Sequence, residues 1–195
     1  LPYKRGTITD SKGTVLGTSE LVYNVIIDAY QMNSGSKDET TGESIYIEPT
    51  LNVCESLGID KEKIRKYITD NPDSRYYVAL KNLSYTQYTA YQQAITDASD
   101  KVKNIQASIQ KEQAKSSPDE TTLTQLNSQL EEAEKENEQY QNIQGIWFEP
   151  AYIRSYPNGT LACDVIGFAN DQNQGSFGLE EYYNDTLNGT PGREY

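Results

Sequence analysis

In the middle of the chain, Tyr88, Tyr91, Ile95, Ala98, Val102, Ile105 and Ile109 recur at intervals of three and four residues. That spacing is a heptad seam, which buries one stripe of a helix against a second helix. The segment Ala114 to Glu120 interrupts it, with Ser117 suited to an N-cap, Pro118 to the first helical position and Glu120 to the return partner of a capping box. A second seam follows at Leu123, Leu126, Leu130 and Ala133, with Tyr140 further along, a weak point at Asn137 and a stop at Gly145. The pattern predicts an antiparallel helical hairpin over 87–144, with helices of about 25 to 28 residues and roughly 40 Å each.

The flanks read differently. "GTITD", a turn at Ser11 to Gly13 and "TVLG" suggest a hairpin of strands, and Leu21 to Ala29 is a β-branched core strand. A polar loop covers Gln31 to Ser44, and Ile45 to Ile47 reads as short and extended. A helix is expected from Pro49 to Gly58, and another after Asp60, an N-cap residue, with Ile64, Tyr67 and Ile68 on one face. Arg75 to Ser84 reads as a strand leading toward the helical hairpin. Past it, "GIWFEPAYIRSYP" alternates as a strand, and Gly159 to Asn170 is expected to be another. Leu179, Tyr182, Tyr183 and Leu187 fall at helical spacing. Strands at both ends with helices between them imply that the ends pair. The expected fold is α+β: a small mixed sheet formed by the N- and C-terminal segments with helices, plus the inserted hairpin.

Composition excludes several functions. The chain has 29 acidic and 17 basic residues and a net charge of -12. Nucleic acid is a poor partner for that field, because binding it requires Lys and Arg to neutralise phosphates. There is no His, which removes the commonest general base and zinc ligand. Cys54 and Cys163 show no metal-ligand spacing; they read as two buried thiols, with a single disulfide as the alternative. No apolar run approaches the length of about 20 residues that spans a bilayer. The chain opens on "LPYKRG" with no initiator Met, which reads as a piece of a longer protein.

Candidate chemistry is thin. Ser34 to Lys37 and Ser108 to Lys111 match S-x-x-K, but one lies in a polar loop and the other on the hairpin, with no S-x-N or K-T-G to complete a site. Both are chance matches. Asn170 to Glu181 faintly resembles a calcium loop, with Asn170, Gln172 and Gln174 where acids are expected. Asn82, Asn158, Asn184 and Asn188 open N-x-S/T triplets. No catalytic, cofactor-binding or metal-binding residue is assigned, and no cofactor is expected.

Three segments carry a longer pattern. "RGTITDSKGTVL" resembles the R-G-x-I-x-D-R-x-G-x-x-L-A run of class B penicillin-binding proteins. "RSYPNGTLACDVIGFAND" resembles that family's R-x-Y-P-x-G-x-x-A-x-x-x-x-G, and "GSFGLEEYYNDTLNGTPG" its G-x-x-G-x-E-x-x-x-D-x-x-L-x-G-x-x-G. They occur in the family's order, cover about a quarter of the chain and flank a variable middle. Ser11-Lys12, Gly17 and Cys163-Asp164 depart from the pattern, and the hairpin is longer than the family's usual connection.

The resemblance implies the non-catalytic pedestal, or dimerisation domain, of such a protein, of a Gram-positive division or sporulation type. The pedestal would comprise 1–86 and 145–195, with 87–144 as the inserted coiled-coil hairpin. Its structural motif residues are Arg5, Gly6, Asp10, Gly13, Arg154, Pro157, Gly159, Gly167, Gly178, Glu180, Leu187 and Gly189. The four charged ones, Arg5, Asp10, Arg154 and Glu180, are expected to pair across the junction of the two ends, since buried charges are tolerated only when paired. The resemblance also implies an N-terminal membrane helix, a serine-type transpeptidase domain as the parent enzyme's catalytic part, and a place on the outer face of the plasma membrane. Implied partners are that transpeptidase domain, a SEDS-type glycan polymerase, other cell-wall synthesis proteins and a second copy of the chain. The rival readings are an extracellular coiled-coil adaptor or adhesin, and a hydrolase using paired acids.

Overall fold

A computed structural model of the chain describes residues 2–190 and 192. In order it contains β1 (Ile8–Thr9), β2 (Val15–Ile27), α1 (Ala29–Asn33), α2 (Ile47–Ser56), α3 (Lys61–Asp70), β3 (Tyr77–Ser84), α4 (Tyr85–Gln113), α5 (Glu120–Glu138), β4 (Ile146–Ser155), α6 (Cys163–Ile166), α7 (Gly178–Tyr182) and α8 (Asn184–Leu187). The α+β class is as the sequence predicts. The long strand β2 organises the sheet, since it pairs with β1, β3 and β4. β1 and β2 run antiparallel, with Ile8 opposite Gly17 and Thr9 opposite Val15.

The chain separates into two compact units. A terminal unit contains 1–24, 81–85 and 148–195, and a central unit contains 25–80 and 86–147. The boundary therefore falls inside β2, β3 and β4. The segment 25–80, which the sequence reading groups with the chain ends, belongs to the same compact unit as the helical hairpin.

The central unit has an aliphatic interior. Val25, Ile26, Ile27, Ala29, Met32, Leu51, Cys54 and Ile64 are all fully buried. Each fully buried Ile or Leu contributes about 2 to 3 kcal/mol relative to exposure. The helices around this core have identifiable starts. Asp60 caps α3, its carboxylate accepting from the backbone N–H of Glu62 and Lys63 at 3.0 and 3.2 Å. Burial pushes the Cys54 thiol up to about 12.

The hairpin forms with both seams turned inward. Ala98, Ile109 and Ala133 are buried, and the other seam residues of α4 and α5 are half-buried. At 1.5 Å per residue, α4 is about 43 Å long and α5 about 28 Å. At the tip, Glu112 accepts a hydrogen bond from the backbone N–H of Asp119 at 3.1 Å and pairs with Lys115. At the root, Thr50 Oγ1 donates to Gln144 O at 3.0 Å and accepts from Gln144 N at 3.2 Å.

Three local expectations change. Asp119, not Ser117, caps α5: its carboxylate accepts from Thr121 N at 2.9 Å and from Thr122 Oγ1 at 2.7 Å, two bonds that a Ser hydroxyl could not match at that place. The helix then runs 19 residues rather than about 25. Ile45–Ile47 is not extended, because Ile47 opens α2 and places Pro49 in its first turn, where no N–H is required. The stretch 159–170 is not a strand. Gly159, Ala162 and Gly167 all have positive φ, and three such residues turn the backbone into bends and the single turn of α6.

Candidate functional site

Within the terminal unit, two arginines converge on one carboxylate. Arg5 and Glu180 are fully buried, and they lie 175 positions apart in sequence. Arg5 Nε donates to Glu180 Oε2 at 2.8 Å, and Arg5 Nη2 to the Glu180 carbonyl at 2.8 Å. Arg154 Nε donates to the other carboxylate oxygen, Oε1, at 2.7 Å, and Tyr156 OH reaches that same oxygen at 3.2 Å. The elements explain the convergence: Arg154 lies in the last two residues of β4 and Tyr156 just past its end, two positions on, while Glu180 sits in the short helix α7.

The arginines are also anchored to backbone. Arg154 Nη1 donates to Gly6 O at 2.7 Å, and Gly6 N donates to Leu187 O at 2.8 Å. Arg5 Nη1 faces three acceptors: Asn173 O at 2.9 Å, Asn184 Oδ1 at 3.1 Å and Asn188 Oδ1 at 2.7 Å. Ser19 Oγ on β2 donates to Arg5 O at 3.2 Å. Removing one partner of so buried a pair costs about 3 to 5 kcal/mol, because the remaining charge is left without compensation. Burial raises the Tyr156 phenol above its ordinary value. Gly17, where the resembling family has Ala, gives the second guanidinium room: a Cβ there would lie 3.2 Å from Arg154 Nη2.

The motif residues thus sort into groups. Arg5, Gly6, Arg154, Glu180 and Leu187 meet in this clasp, and Gly189 lies against the Tyr3 ring beside it. Asp10 does not join it. It is exposed, and its Oδ1 accepts from the backbone N–H of Lys12 and Thr14, both at 2.8 Å, across a turn completed by Gly13 at φ 85°. Those bonds, to Thr14 first, hold the Asp10 carboxyl below its ordinary range. Aspartate fits here as a turn residue, and the expected fourth member of the charge cluster is absent. Pro157 and Gly159 form a second turn, closed by Gly159 N donating to Tyr156 O at 3.0 Å. Gly167 and Gly178 make a separate backbone contact between α6 and α7.

Asn173, Asn184 and Asn188 belong to the clasp without standing among the motif residues, and Tyr156, which fills the Tyr of R-x-Y-P, has a clasp role that the motif alone does not state. In the sequence Asn184 and Asn188 stand out only as N-x-S/T triplets, yet their i, i+4 spacing places two amide oxygens on one side of a helical turn, as the clasp uses them. Asn173 contributes a backbone carbonyl, which no side-chain pattern reports. The calcium-like stretch has its own internal use: Asn170 Oδ1 accepts from Gln172 N and Gln174 N at 2.9 and 3.0 Å. Among the described residues, no group of three or more His, Cys, Asp or Glu is placed to hold a metal ion. Cys54 is buried, Cys163 is exposed, and both thiols are free. No helix among the described residues is long and apolar enough to cross a membrane.

This arrangement organises charge so that it holds backbone segments of the terminal unit together.

Comparison with known proteins bears on what those segments are. The family model described as the penicillin-binding protein dimerisation domain matches residues 1–195. Stage V sporulation protein D of Bacillus subtilis is 43% identical over 51 residues, which is 26% of this chain and 8% of that protein. The peptidoglycan D,D-transpeptidase FtsI of Buchnera aphidicola is 40% identical over 53 residues, 27% of this chain and 9% of that one. The match thus spans less than a tenth of either relative's length. Among solved structures, penicillin-binding protein 2X of Streptococcus thermophilus is similar at 21% identity and a TM-score of 0.49, over 94% of this chain and 22% of that one. Penicillin-binding protein 2 of Helicobacter pylori, solved in complex with MreC, is similar at 19% identity and a TM-score of 0.44, over 96% and 28%.

Proposed function

We propose, for a chain that belongs to the penicillin-binding protein dimerisation-domain family, that it serves as the non-catalytic pedestal of a class B enzyme. On this reading a membrane helix precedes the region, a transpeptidase domain follows it, and the whole stands on the outer face of the plasma membrane. The clasp is the observation that carries the reading. Residues 5–6 are bound to residues 180–188 through a fully buried ion pair, a guanidinium bond from Arg5 to the Glu180 carbonyl and the Gly6 N–H bond to Leu187 O, while Arg154 bridges Gly6 O and the same carboxylate. A domain attached on either side would then be held at a fixed separation, which is what a spacer between membrane and substrate has to provide. In this proposal 1–86 and 145–195 form the pedestal and 87–144 is an insertion. A SEDS-type glycan polymerase and other cell-wall synthesis proteins are the partners that a pedestal would meet.

The test uses the full-length protein in its own cells. With Arg154→Ala, fluorescent penicillin should still label the solubilised protein, whereas complementation of a deletion strain should fail or fall sharply. The 195-residue chain alone should take up no label. Undiminished growth with the clasp broken, or acylation of the chain by itself, would remove the reading.

A further inference from the structure

The terminal unit carries a second feature, which the clasp does not use. The residues of 156–168 and Phe177 enclose an open cup of about 390 Å³. Its wall includes Tyr156, Leu161, Ile166, Phe168 and Phe177, with the free thiol of Cys163 on the rim. Several of its apolar side chains face solvent to an unusual degree. Leu161 is 58% exposed, Phe168 55% and Phe177 52%, with Val165 nearby at 60%. A cluster of half-exposed large apolar side chains around one concavity is the kind of surface that marks a binding site.

The cup is built rather than loose. Gly167 and Gly178 both have positive φ, and they bring two backbone segments into direct contact. A Cβ on Gly167 would lie 1.8 Å from Phe177 O, and one on Gly178 would lie 2.3 Å from Val165 O. Ser176 N donates to Phe168 O at 2.9 Å, so the carbonyl of one exposed Phe is hydrogen-bonded to the residue before the other. Below them Ile166 is buried, and Tyr156 OH accepts from Ala169 N at 2.9 Å while it donates to the clasp. Backbone locked this closely cannot fold inward to hide the two rings, and a preformed site costs little ordering on binding.

Charge selects the occupant. Between Ser155 and Thr190 the chain carries Asp164, Asp171, Glu180, Glu181 and Asp185 and no Lys or Arg. Glu180 is consumed by the clasp, and the other four acids are exposed, with Asp164 lining the cup itself. Asp164 is the one charged residue lining the cup, and a second copy of this chain, itself at net charge -12, would bring like charge to it. We propose that the cup docks a segment of another protein that presents an aromatic or aliphatic side chain flanked by Lys or Arg. The apolar side chain fills the cup and the basic neighbours meet Asp164 and the net negative charge of the chain, which sets register and on-rate more than affinity.

Cys163 provides the reporter, because Cys54 is buried with its thiol pushed up to about 12 and stays unmodified near neutral pH. The 195-residue chain carries a small fluorinated tag on Cys163, read by fluorine NMR, and amide spectra of the untagged chain give a second readout. The probes are three synthetic peptides of about twelve residues: Phe-Leu flanked by Lys, the same with Glu for Lys, and the Lys peptide with Ser for Phe-Leu. The first should shift the signal with a Kd at least about tenfold below the others. That advantage should shrink in about 0.5 M salt, as exposed charge pairs are screened. Phe177→Ser should abolish the shift, and Asp164→Asn should weaken binding severalfold. Equal binding of all three peptides overturns the proposal. So does a shift that grows with protein concentration and no peptide, which makes the occupant a second copy. Protection of Cys163 from labelling in the full-length protein also overturns it, because the chain's own remainder then fills the cup.

Discussion

Glu180 in the terminal unit and Leu51 in the central unit are both fully buried, and they hold their surroundings by opposite means. Around Leu51 the interior is hydrocarbon from β2, α1, α2 and α3, and its stabilisation is spread over many side chains that substitute for one another. Around Glu180 a few directional bonds join residues from three distant stretches of sequence, and neither arginine nor the glutamate can be replaced by a neutral residue without disturbing a buried charge balance. The central unit should therefore lose stability gradually when its core is thinned, and the terminal unit abruptly when its clasp is touched. The terminal unit gains something in exchange. Apolar packing would not fix where residue 5 stands against residues 180–188, whereas a guanidinium bound to five acceptors does.

The sharpest way to break the comparison is Glu180→Gln, which keeps shape and removes charge. Two buried guanidinium groups then face a neutral amide, and the expected loss is about 3 to 5 kcal/mol. At about 2 to 4 °C per kcal/mol for a chain of this size, the terminal unit should melt at least about 6 °C earlier. The sole tryptophan, Trp147, lies in the central unit, so its fluorescence follows that unit, while hydrogen exchange of the Gly6 amide, bonded to Leu187 O, follows the terminal one. The two readouts should separate in the variant. A joint shift of under about one degree would mean that the clasp contributes no more than an exposed ion pair.

Ile109→Ala sharpens the other side. Ile109 sits near the tip of α4 at 9% exposure, and truncating a buried Ile costs about 2 to 5 kcal/mol when the site cannot relax. A hairpin tip relaxes easily, so the lower end of that range is expected, with the loss confined to the hairpin. Hydrogen exchange should quicken over residues 102–130 and stay unchanged around Leu51. Global unfolding at an earlier midpoint would show instead that the hairpin and the aliphatic core form one cooperative block.

What could be read in advance follows the same division. The seams of α4 and α5, the cap at Asp60 and the turn at Ser11 to Gly13 are local, and periodicity or residue type states them outright. The clasp is not local. Nothing in periodicity links Arg5 to a residue 175 positions away, and the link is legible only through three motif segments that resemble one family in order. Even then the pattern misplaces Asp10, since a charge within a motif can serve its own turn, and passes over Asn184 and Asn188, since an amide's role depends on what it faces. The lost strand at 159–170 fails for another reason. Alternation over a few residues cannot reveal that Ala162 adopts a left-handed conformation at φ 57°.

The smallest expected effect lies at the hairpin tip and depends on pH. Glu112 is held below its ordinary value of 4.5, first by Lys115 and then by the Asp119 backbone N–H. Asp119 is held below 3.8, first by Thr122 Oγ1 and then by the Thr121 N–H. A carboxyl whose value is depressed by folding stabilises the folded form fully above its unfolded value, and that contribution is lost as pH falls through the folded one. The tip should thus be unaffected from pH 7 to about pH 5 and begin to fray only below about pH 4.5. Fraying should appear as faster hydrogen exchange at residues 112–122, with no movement of the Trp147 signal. Asp119→Asn retains a capping oxygen and removes the charge, so it should erase part of the acid dependence while leaving the cap at neutral pH nearly intact. If protection at the tip stays unchanged well below about pH 4, the apolar seam rather than these two carboxylates limits the tip, and the contrast between ion-held and hydrocarbon-held regions extends to the last turn of the hairpin.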